Sequence, residues 1–213
     1  MTNAQRASSA APSRRAWPGA QRGRTRATDG RVRYTTATVQ LDLHRHLEGS
    51  HSAAALAAVA REFDLRAPAF YDDAAARFRT PAELTAATTV ASPSDDPTAF
   101  YGCIVAARAA YVSVPAIAAL AERAMLEAAA DAAGCELRLS LFSMARTLIE
   151  HEPRAWRAVA PDAFARAYAE PILAAVIAAR ARVVAATGVP ILLRLGLSRT
   201  FESAPHYQAL ATM

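Results

Sequence analysis

The sequence predicts an α/β fold built on a parallel sheet, and two observations carry that prediction. Three short apolar stretches, near residues 39–47, 135–142 and 189–198, are separated by long helical segments, and connections of that length join strands that run the same way. Each stretch also has one apolar and one partly polar alternate face. A barrel does this: apolar side chains point out to the helices, and functional ones gather near the C-terminal strand ends. A full barrel takes about 250 residues or more, whereas this chain has 213. The expected fold is therefore a partial TIM (β/α)8 barrel, about the first three strands with their helices.

Composition bounds the rest. Hydrophobic residues make up 53% of the chain, enough for one domain with a real core. No apolar run reaches the roughly 18 residues of a membrane span, and no secretory signal opens the chain. Cys103 and Cys135 lie far apart without metal-like neighbours and read as free thiols in a reducing cytoplasm. All 24 basic residues are Arg. Eight of them, with a single acid, Asp29, fall in residues 1–35, so the pI near 9.8 belongs to that segment and the remainder is slightly acidic. This balance counts against nucleic acid as a partner of the folded part.

Taken in order, residues 1–37 are an Arg-rich tail broken by Pro12, Pro18, Gly19, Gly23 and Gly30, with no sustained period, and are expected to be disordered. Such an acid-poor leader also fits organelle targeting, against which its Pro and Gly residues count. Residues 38–213 form the second unit. Residues 39–47 alternate, with Leu41 and Leu43 on one face and Asp42, His44 and His46 on the other. Ser52 caps a helix reaching about Phe63, striped by Leu56, Val59, Ala60 and Phe63. Residues 91–97, "ASPSDDP", read as a loop, and a helix follows near 100–111. Pro115 opens a longer helix with Ile117, Leu120, Ala121, Ala124 and Met125 as its stripe, ended by Gly134. In the second strand Leu137, Leu139 and Leu141 share a face opposite Glu136, Arg138 and Ser140. A long polar connection follows, through "HEPRAW". A helix then begins near Asp162, breaks at Pro171 and stops at Gly188, before the third strand and a last helix from about Ser203.

The chemistry concentrates in residues 41–50, "LDLHRHLEGS". His44 and His46 are two apart in a strand, so both imidazoles reach the same side, where one Zn²⁺ would sit about 2.0–2.1 Å from each. They stand at the C-terminal end of the strand, where barrel sites are built.

The order apolar run, His-x-His, Leu, acid, Gly, Ser, helix resembles the opening strand of the adenosine deaminase family of the amidohydrolase superfamily. "GCELRLSLF" resembles that family's second strand, with Glu136 two residues before Arg138, and "GVPILLRLGLSR" its third, ending near Arg199. The resemblance spans roughly residues 38–205. It implies a barrel with one catalytic zinc, for which His44 and His46 are the first two ligands. It puts Glu48 near the polar side of a small-molecule purine substrate, and Gly49 where the chain passes tightly under it. The implied reaction is hydrolytic deamination of a 6-aminopurine: zinc lowers the pKa of a bound water to near 7, hydroxide attacks the amidine carbon and ammonia leaves. Adenosine-specific members more often carry Asp at the position of Glu48. Glu is similar to members that act on adenine or other adenine-containing compounds, so the substrate is left open among these.

The family completes its site with a third His, a His-Ala-Gly-Glu-like segment whose Glu transfers protons, and an Asp after the last strand. No catalytic residue of that set is visible in this chain. His51 follows the first motif too closely, His151 and His206 lack the neighbouring pattern, and Asp95 and Asp96 precede the second strand; all read as solvated loop residues. The expectation is the N-terminal part of such a hydrolase, inactive alone and dependent on missing strands from a longer product or a complementing chain. The alternatives are a non-catalytic truncated remnant and a related amidohydrolase with a non-purine substrate.

Overall fold

The computed structural model describes residues 23–26, 32–35, 40–90, 97–149, 155–196 and 204–213. The chain divides into two units, residues 1–39 and 40–213. In the first, β1 (Gly23–Arg26) pairs antiparallel with β2 (Val32–Thr35), so eight residues of the segment expected to be disordered carry regular structure. Thr25, Val32, Tyr34 and Thr35 are good strand formers.

The second unit is mixed α/β. Its elements are β3 (Leu41–His46), a 3-10 turn over Leu47–Gly49, α1 (Ala53–Glu62), a small antiparallel pair of β4 (Tyr71–Asp72) and β5 (Arg77–Phe78), α2 (Pro81–Thr88), α3 (Pro97–Arg108) and α4 (Val114–Asp131). Then come β6 (Gly134–Leu139), α5 (Leu141–Ile149), a 3-10 turn at Ala155–Ala158, α6 (Pro161–Phe164), α7 (Glu170–Thr187), β7 (Ile191–Leu195) and α8 (Ala204–Ala211). The sheet is three-stranded and wholly parallel, in the order β3-β6-β7. No helix among the described residues is long and apolar enough to cross a membrane.

The sheet has two unlike faces. Cys135, Leu137 and Leu139 of β6 and Ile191 of β7 are buried with the apolar stripes of α4 and α7, including Ile117, Leu120, Met125, Val176 and Val183. The other face carries Glu136, Arg138 and Arg194, and its apolar members Leu41 and Leu192 are exposed by 54% and 51%.

Several sequence expectations hold locally. Ser52 caps α1, accepting from the amide of Ala55, and Pro115 is the second residue of α4. Gly188 ends α7 at φ 70°, in the left-handed region that favours glycine. The break before Pro171 is a π-turn over Ala165–Ala169, in which the Glu170 amide bonds the Ala165 carbonyl. Proline lacks the N–H and crowds the preceding turn, and the widened turn accommodates it.

Three expectations are corrected. Gly134 does not end α4 but opens β6: α4 stops at Asp131, and a Cβ on Gly134 would lie 3.2 Å from Leu41 Cδ2, so glycine serves strand packing there. The second strand stops at Leu139, and Leu141 belongs to α5, where the polar connection was expected. Leu141, Phe142, Met144 and Ala145 are buried there at helical spacing, which a two-residue alternation shared with β6 disguised. Finally, Leu41 and Leu43 do not reach the core; Leu43 is 65% exposed. The register slips between Asp42 and Arg45: Asp42 stands beside Cys135, Arg45 beside Leu137, and His46 beside Arg138. That bulge reverses the alternation within β3, so Asp42 and His46 lie on opposite faces of the sheet.

Candidate metal centre

The bulge in β3 is held by Asp42. Its Oδ1 accepts from the His44 backbone amide at 3.3 Å, and its Oδ2 accepts from Arg45 Nε at 2.7 Å. An aspartate bonding the backbone two residues on is a local alternative to ladder pairing, and it fixes the extra residue of the bulge. Beyond it, His44 and His46 converge, with Nε2 atoms 3.2 Å apart and ring centroids 5.2 Å apart. Both residues are exposed, and they line an open cavity of about 500 Å³ with Gly49, His51 and Phe100.

That separation is a test of metal fit. A zinc ion about 2.0–2.1 Å from both nitrogens would see them at an angle of about 103°, close to a tetrahedral pair. Without a metal the same distance suits one imidazole donating to the other. The two histidines therefore fit two positions of a zinc site. Among the described residues no third His, Cys, Asp or Glu joins them.

The turn after β3 is anchored from below. Leu47 is fully buried, and Glu48, only 5% exposed, accepts from the Ser140 amide at 2.9 Å through Oε1. This ties the end of β3 to the end of β6. The second carboxylate oxygen of Glu48 is buried without a hydrogen-bond partner among the described residues. Gly49 is not pressed by protein: a Cβ there would meet nothing within 4 Å. Glu48, Gly49 and His51 also line a cavity of about 320 Å³ walled by Thr88, Phe100 and Cys103.

His51 and His206 are not the solvated loop residues the sequence suggests. His51 Nε2 lies 2.6 Å from the hydroxyl of fully buried Tyr111, with the rings edge to face. Burial lowers the His51 pKa to about 4, so its imidazole is neutral near pH 7, and burial likewise raises the Tyr111 phenol well above its usual value. His206 is 7% exposed, in edge contact with Trp156 and Phe164, and its Nε2 is 3.0 Å from the Val159 carbonyl. The apolar spacing of α8 with Tyr207 and Leu210 was the available signal for this burial. Cys103 and Cys135 are free thiols, with the Cys135 pKa raised first by burial. His151, Asp95, Asp96 and Arg199 lie outside the described residues.

No known family model matches this chain, and no curated protein matches it.

Proposed function

We propose that residues 40–213 are the N-terminal part of a zinc-dependent hydrolase barrel similar to the adenosine deaminase family, acting on a 6-aminopurine. The observation that carries this reading is the 3.2 Å approach of two imidazole nitrogens at the C-terminal end of β3. Support for the barrel comes from three parallel strands in sequence order, with apolar residues of the crossover helices packed on one face of the sheet. The free thiols fit a cytoplasmic setting.

When bound at His44 and His46, zinc would supply Lewis-acid activation of water for attack on an amidine carbon. The chain's own residues do the positioning. Asp42 fixes the backbone that presents His44, and the Ser140 amide orients Glu48 beside the purine's polar edge. Gly49 leaves room for the substrate. The reading requires a third ligand and a proton-transferring acid from outside the described residues. A second reading is a non-catalytic remnant, with which a histidine pair lacking a third ligand among the described residues is also compatible.

The test is a panel of adenosine, adenine and non-purine amides, followed by absorbance and ammonia release, with zinc content measured on the same sample. Zinc-dependent ammonia release from a 6-aminopurine supports the proposal. Release from non-purines alone assigns a related amidohydrolase, and the absence of both bound zinc and turnover assigns the remnant.

A further inference from the structure

The parallel register lines up three basic side chains on the open face of the sheet. His46 stands beside Arg138, and Arg138 beside Arg194, on three successive strands. Strands are about 4.8 Å apart, so the row runs roughly 10 Å from the histidine pair. One acid lies behind it: Glu136, 7% exposed and two residues before Arg138, faces Arg194 Nε at 2.8 Å and Arg138 Nε at 3.4 Å. The longer contact is an ion pair without hydrogen-bond alignment.

Each arginine thus turns its Nε edge down to one shared carboxylate. In both pairs Nε is the nitrogen nearest the carboxylate, and the two side chains are 36% and 60% exposed, so their guanidiniums are open to a ligand. Two guanidiniums share one negative charge. Asp42, the other acid of the three strands, belongs to the opposite face and pairs with Arg45. A carboxylate that holds two guanidiniums by one edge pre-organises their remaining donors, and planar forks of that kind suit an oxyanion.

We infer that Arg138 and Arg194 form an oxyanion site beside the histidine pair, taking a phosphate or carboxylate group of a ligand. The inference deepens the proposed function by assigning an anionic substrate, one or two strand spacings from the metal position, in place of a neutral one. It leans on that reading only for the meaning of the neighbouring histidines, because the guanidinium pair needs no metal.

The experiment is calorimetric titration of the chelator-treated full chain with inorganic phosphate and, separately, with malonate. The expected result is saturable 1:1 binding of at least one of them, weakened about tenfold or more in Arg194→Gln and in Arg138→Gln. It should persist in His44→Ala and in a distant control, Arg182→Gln. Arg194→Lys, which keeps the charge, retains part of the affinity and guards against a folding defect in the Gln variants. Phosphate alone or malonate alone binding tells which oxyanion the site prefers. No saturation up to about 10 mM, or binding that survives both Gln substitutions and so belongs to the arginines of residues 1–35, overturns the inference. Failure of the metal reading appears separately, as absent zinc in a chain that still binds the oxyanion.

Discussion

At the scale of single residues, the site depends on groups that hold others in place. Asp42 is the clearest. Its carboxylate fixes the bulge from which His44 projects, so Asp42→Ala should weaken zinc binding while leaving both imidazoles intact; a competition titration against a chromophoric chelator would read the loss. The motif spacing made the histidines legible, but not this role, because a register shift is a property of two strands and cannot be read along one. His51 makes a different prediction. The unfolded chain takes up its proton near pH 6.5 and the folded chain only near 4, so the stability it permits is complete above pH 6.5 and drains as the pH falls toward 4. Urea melts should lose about 3 kcal/mol across that window, and His51→Gln should flatten the slope. His51 was misread in the sequence because what buries it, Tyr111, is sixty residues away.

At the scale of elements, local signals decided some ends and missed others. Ser52 was recognisable as a cap, and Ser52→Ala is expected to cost about 1 kcal/mol in chemical denaturation, since its hydroxyl both accepts from the Ala55 amide and donates to Glu127 at 2.6 Å. The strand β6 was also recognisable, through Leu137 and Leu139. Its end was not: Leu141 continues the two-residue alternation of β6 while also starting the apolar stripe of α5. Periodicity alone cannot arbitrate a residue shared by both patterns. Burial settles it, because Met144 and Ala145 are fully enclosed and belong to the helical spacing.

At the scale of the whole molecule, the packed side and the open side of the sheet carry different consequences. One face lies under α4 and α7, and the other exposes Leu41 and Leu192, with Leu43 also exposed on the edge strand β3. Exposed leucines contribute little to the fold, so Leu43→Asn with Leu192→Asn should leave the melting midpoint nearly unchanged, within about 0.5 kcal/mol each. The same pair should reduce the fluorescence of an apolar-surface dye bound to the native chain. The parallel order of the strands was legible in the crossover lengths, whereas the exposure of β3 was not, since an alternating Leu reads as core whether or not anything covers it.

The central claim is that His44 and His46 hold a divalent metal together. The most direct measurement is zinc stoichiometry and affinity on the wild-type chain, His44→Ala and His46→Ala, with circular dichroism recorded on each. The account predicts one zinc per wild-type chain, lost in either variant with the fold unchanged. Zinc binding of equal strength in all three chains would contradict it and leave the 3.2 Å contact as an imidazole–imidazole hydrogen bond.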